Sequence, residues 1–161
     1  MIKVYYEVGS ITIAEMTDMR IILEPFLAGL AAERRTTEDL QRMKECVTAY
    51  QRLVDNGDKK VFEKALLFHL SVANACHNPL ISGFMEGLTS AYEVFYGTLD
   101  LAFEEQAKDL EFHKKCFDAI KRQDAKSAIR IMREHLEIFS PILMEHAMAE
   151  KALVGIKSKS N

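Results

Sequence analysis

A chain of 161 residues that is 48% hydrophobic, with a formal charge of −3, can bury a core as one domain without disulfide support. Its mild acidity excludes a duplex-gripping surface on this segment, because phosphate binding needs concentrated basic charge. No apolar run approaches the roughly 18 residues of a membrane span and no basic-then-apolar leader opens the chain. Cys46, Cys76 and Cys116 are odd in number and unclustered, which suits a reducing compartment, so the cytoplasm is the expected location.

Residues 1–12 read as a linker or remnant. Thr12 and Glu15 have capping-box spacing and open a first helix whose apolar stripe is Met16, Met19, Leu23, Leu27 and Leu30. Arg20 lies within about 60° of that stripe, and Pro25 is expected to kink the helix near Ile21. Thr36 and Asp39 start a second helix through Leu40, Met43, Val47, Tyr50 and Val54, which ends at Asp55-Asn56-Gly57 with Gly57 in a left-handed C′ position. Asp58 is expected to cap the third, which carries Phe62, Leu66, His69, Val72, Ala73 and Cys76 on one face and stops before Asn78-Pro79.

A fourth helical segment, 80–101, holds Phe84, Leu88, Tyr92, Phe95 and Leu99. A break at Gln123-Asp124 separates the fifth and sixth, with Asp124 capping the latter. In the fifth, Leu110, His113, Phe117 and Ile120 share a face; in the sixth, Ala128, Ile131, His135, Ile138 and Ile142 do. Pro141 should bend the last helix, and 151–161 reads as a polar tail. No strand pairing, internal repeat or Gly-rich phosphate loop interrupts this pattern. The expected fold is all-α, an antiparallel bundle of six to seven helices.

His69, His113 and His135 thus fall on apolar faces of three different helices. A buried imidazole without a partner costs roughly 1 to 3 kcal/mol, and one shared divalent metal ion, zinc or nickel foremost, would satisfy all three. The plainer alternative is three hydrogen-bonded core residues. His77 and His146 read as surface residues. Cys76 and Cys116 lie one or two turns from His69 and His113, but buried free cysteine is commonly a small hydrophobe. Arg20 reads either as the i,i+4 partner of Glu24 on a partly wet face or as a clamp for a ligand carboxylate. Phe84, Met85, Tyr92, Phe95 and Tyr96 read as core.

The order and spacing of several loose motifs resemble the FadR-type C-terminal (FCD) domain of GntR-family transcriptional regulators over residues 13–142. They are Asp18-x-Arg20-x-x-Leu23-Glu24, Ala31-Ala32-Glu33-Arg34, Phe68-His69, Ala75-x-x-Asn78-Pro79-Leu80, His113 with Ala119-Ile120, and Arg122-x-Asp124-x-x-x-Ala128 with Met132-x-x-His135-Leu136. The resemblance implies a domain at 13–150 that dimerises and binds a small effector, often a carboxylic acid. It also implies a metal held by an Asp or Asn and three histidines. His69, His113 and His135 match those histidines, and Arg20 matches an arginine that often faces the effector.

The family's acidic ligand lies four residues before the first histidine, where this chain has Ala65. Glu63 and Glu111 are out of register to replace it. The expected site is therefore three histidines with extra open positions. The family's N-terminal winged helix-turn-helix has no counterpart here, so the chain is expected to be the effector domain of a longer regulator that meets DNA only through that missing part, the alternative being a truncated stand-alone sensor. A rival reading, a metal-dependent hydrolase or lyase with a three-histidine site, lacks HExxH and a placed general base. A purely structural helical interaction domain is the third.

Overall fold

In a computed structural model the described residues form six helices: α1 Ile13–Arg34, α2 Thr37–Asp55, α3 Phe62–Asn74, α4 Pro79–Tyr96, α5 Phe103–Lys121 and α6 Ala125–Ser158. The backbone is described at residues 10–58, 61–96 and 102–158, and the side chains at 10–58, 61–93 and 102–145. Among the described residues there is no strand, and no helix is long and apolar enough to cross a membrane. Phe95, Tyr96, Leu99 and His146, and most of the 1–12 segment, lie outside the described residues or side chains.

The helix starts follow local chemistry. Thr12 and Glu15 exchange the two capping-box hydrogen bonds at the start of α1, and Thr36 and Asp39 do the same for α2. Asp124 Oδ1 accepts from the Ser127 amide at 3.0 Å. Asp58 does not cap α3, whose N-cap is Val61 with no side-chain hydrogen bond. The Asp58 amide instead reaches back to Leu53 O while Gly57 N–H bonds Val54 O. This closes α2 with Gly57 left-handed at φ +67°. The α5–α6 break is built the same way, with Gln123 at φ +58° and the Asp124 amide returning to Ala119 O. Pro25 and Pro141 are carried inside single helices.

α1 packs against α3, α5 and α6, and α2 against α3 and α5. Its contact with α6 is tight: a Cβ at Gly29 would sit 2.8 Å from the Ile129 side chain. That approach accounts for a mid-helix glycine despite its cost of about 1 kcal/mol relative to alanine.

The buried face of α1 keeps Met16 and Leu27 of the stripe expected from hydropathy but not Met19. Ile13, Met16, Thr17, Arg20, Glu24, Leu27, Ala28 and Ala31 face inward, while Met19, Ile22 and Phe26 are 38%, 67% and 60% exposed. The helix is rotated so that its charged pair enters the core. Two apolar clusters hold the bundle, one around Leu27, Tyr50, Leu66 and Tyr92 and the other around Ala31, Phe68, Ile120 and Met132.

Candidate functional site

His69 comes from α3, His113 from α5 and His135 from α6, and each side chain is 5% exposed or less. Their imidazoles meet at one point. His69 Nε2 lies 3.0 Å from His113 Nε2 and 3.2 Å from His135 Nε2, and all three offered nitrogens lie within 4.8 Å of one another. Bonds of about 2.05 Å to a tetrahedral ion put ligand nitrogens about 3.4 Å apart, so the donor set fits such an ion. Burial lowers the pKa of all three, and so favours the neutral imidazole that can donate a lone pair. Phe68 packs at a tilt against His113 with ring centroids 4.8 Å apart, and Phe139 lies 5.2 Å from His135.

Behind the rings stand two carboxylates. Glu24 Oε2 is 2.5 Å from His69 Nδ1, and its Oε1 receives the Arg20 Nε–H at 2.5 Å. Burial opposes the Glu24 charge, but Arg20 and His69 outweigh it and hold the carboxyl down at about 2. Asp109, one turn before His113 on α5, sits between two rings: Oδ2 is 3.4 Å from His113 Nδ1 and Oδ1 is 3.6 Å from His135 Nδ1. Tyr50 donates its hydroxyl to Asp109 Oδ2 at 2.7 Å. Burial pushes Asp109 up to about 7, with the Tyr50 hydrogen bond and Arg20 opposing.

Arg20 belongs to the same place. Its guanidinium carbon lies 5.1 Å from the Tyr92 ring centre, and its side chain lines a cavity with His69, Asp109, His135, Ala65 and Phe139. That cavity holds only about 20 Å³ for the centres of water-sized molecules, room for about one water. Of the two readings of Arg20, the i,i+4 pair with Glu24 is present, but on a buried face and not a partly wet one, the side chains being 7% and 3% exposed.

Ala65 is buried against the cavity without a polar group, and Glu63 and Glu111 point to solvent, 60% and 55% exposed. Cys76 and Cys116 stand outside the histidine cluster. Burial raises their thiols to about 11 and 12. His77 is a surface residue, 47% exposed, paired with Asp39 at 2.8 Å.

The reading from sequence missed the second reach of Glu24, and Asp109 and Tyr50 altogether. A signal was present for Asp109, since spacing of four sets it on the His113 face of α5. Tyr50 arrives from a different helix, and nothing local marks it.

The FCD domain family profile matches residues 15–138. The chain is 29% identical over 118 residues to the galactonate operon transcriptional repressor of Escherichia coli K12, covering 72% of this chain and 51% of that protein. It is 28% identical over 145 residues to the HTH-type transcriptional regulator LutR of Bacillus subtilis 168, covering 89% and 58%. The chain thus spans about half the length of these curated relatives. Two solved structures share the fold: a GntR protein of Streptococcus agalactiae, with TM-score 0.67, 23% identity and coverage of 76% and 55%, and McbR/YncC of E. coli, with TM-score 0.70, 21% identity and coverage of 83% and 65%. With the profile spanning most of α1 to α6 and the relatives all regulators, the chain belongs to the FCD family, the effector-binding domain of GntR-family transcriptional regulators.

Proposed function

We propose that this domain senses a small carboxylate at a divalent metal held by His69, His113 and His135, and passes the bound state to DNA-binding domains through a homodimer. The observation that carries the reading is the meeting of three buried Nε2 atoms beside the cavity that Arg20 lines. A bound zinc- or nickel-like ion would supply a Lewis-acidic centre for an incoming carboxylate oxygen. Arg20, kept in place by Glu24 and the Tyr92 face, is the cation available to the same anion. One relative is named for a galactonate operon, and galactonate is a carboxylate.

The size of the cavity supplies the switch. An organic acid does not enter a space for one water, so Phe62, Leu66, Phe139 or Leu143, which wall it, must move outward. Those side chains belong to α3 and α6. An effector that binds only the opened arrangement shifts the bundle toward it, as linkage demands.

Metal analysis of untagged protein purified without chelator should find about one ion per chain. Calorimetry with a panel of hydroxy and sugar acids should then find a ligand whose affinity falls at least tenfold in Arg20→Ala. Protein that takes up no divalent ion when dialysed against zinc or nickel would end this reading. Sedimentation should show a dimer, and a monomer at high concentration would remove that part.

A further inference from the structure

We propose that Glu24 and Asp109 are the positioning carboxylates of the histidine centre, Glu24 for His69 and Asp109 shared by His113 and His135. In this role they stand behind the rings and leave the coordination position of residue 65 open. The inference rests on the metal reading above but concerns where the imidazole protons sit. In neutral imidazole one nitrogen carries the proton and the other the lone pair, and the group facing each nitrogen decides which. Glu24, whose Oε1 accepts the Arg20 Nε–H, sets its Oε2 2.5 Å from His69 Nδ1. Two facing lone pairs at that distance repel, so the proton is on Nδ1 and His69 Nε2 is an acceptor.

Nδ1 of His113 and His135 are also fully buried, with no hydrogen-bond partner at normal distance. The polar group set against both is Asp109, at 3.4 and 3.6 Å. A modest turn of either ring closes those contacts. Asp109 itself is anchored from its other side by the Tyr50 hydroxyl. Among the described residues the cluster able to hold a metal comprises His69, His113 and His135, and neither carboxylate is part of it. Both stand behind the rings. With Nδ1–H turned toward Glu24 and Asp109, all three Nε2 atoms keep their lone pairs, with His69 Nε2 3.0 Å from that of His113 and 3.2 Å from that of His135. That arrangement is repulsive by itself and suited to a cation. Carboxylates so placed raise ligand basicity and fix ring orientation. They also balance the charge of a divalent ion in a site whose direct ligands are neutral.

The competing arrangement puts the proton on Asp109 and Nε2–H on His113 or His135, donating to His69. Long-range ¹⁵N–¹H spectra of the metal-free wild-type protein separate the two. The expected result is Nδ1–H with an unprotonated Nε2 on all three rings; Nε2–H on His113 or His135 overturns the assignment for Asp109. Zinc competition against a chromophoric chelator gives the second readout. Asp109→Asn and Glu24→Gln should each weaken zinc about 10- to 100-fold, with His77→Ala unchanged, and an unaltered affinity in Asp109→Asn with a native helical spectrum overturns the role. If wild-type protein takes up no zinc, the metal reading fails, and the tautomer spectra still decide the positions of the protons.

Discussion

The molecule contains the same chemical pair, a histidine against a carboxylate, in two settings. His77 and Asp39 meet at 2.8 Å at the α2 N-terminus, with the imidazole 47% exposed. His69 and Glu24 meet at 2.5 Å with both side chains under 5% exposed. At the surface the second ring nitrogen of His77 can turn to water, and the pair asks nothing further of the fold. In the core the second nitrogen of His69 faces two more imidazoles. Burial therefore leaves that nitrogen with the other two rings in place of water. The acids differ too: Asp39 also closes the α2 capping box through Thr36, whereas Glu24 serves Arg20 and His69 only through its side chain.

The largest expected break in this comparison is loss of the metal. Alanine at His69, His113 or His135 should abolish stoichiometric zinc while circular dichroism stays helical, since the aliphatic faces of α3, α5 and α6 remain; His77→Ala should leave zinc intact. Stability comes next. Glu24→Ala leaves the buried Arg20 charge without that carboxylate, so denaturant unfolding should show a loss of about 3–5 kcal/mol.

Acid titration sharpens the contrast further. Glu24 is held at about 2 against an ordinary 4.5. A depressed carboxyl stabilises the fold fully above its unfolded value, and that contribution is lost as pH falls from about 4.5 toward about 2. Burial opposes the Asp39 charge, but Thr36 and His77 keep its carboxyl below the ordinary 3.8, so its contribution is lost only below that pH. Melting temperature against pH in metal-free protein should therefore lose part of its slope between pH 4.5 and 3.8 in Glu24→Gln and keep it in Asp39→Asn. The smallest effect is His77→Ala. A half-exposed pair is worth up to about 1 kcal/mol, and a loss well above that in denaturant melts would show that the surface pair resembles the buried one after all.

Much of the site was legible because its three histidines sit at helical spacing among apolar residues of their own segments. His69 shares a face with Leu66 and Val72, and His113 with Leu110 and Ile120, so periodicity alone carries each ring into the core. The face of α1 was misread for a related reason. Hydropathy favoured the bulky Met19 and Leu23, but α1 packs against three helices through Ala28, Gly29 and Ala31. Small residues permit that approach, and the charged pair is tolerated because His69 and Tyr92 receive it. Asp58 does not cap α3 because that helix starts at Phe62 with Val61 as its N-cap, three residues further along the chain; Asp124 directly precedes α6, so its amide closes α5 while its side chain caps α6.

The sequence by itself determined the helices, two capping boxes, three inward histidines and an alanine where an acid was expected, because each depends on residues within a few turns of one another. Only the tertiary structure decided that Glu24 and Asp109 stand behind the rings and that Tyr50 anchors Asp109 from α2 across 59 positions of chain. Those contacts join different helices, and their existence depends on the rotation of each helix about its axis. That rotation is set by the packing of the whole bundle and by no local pattern.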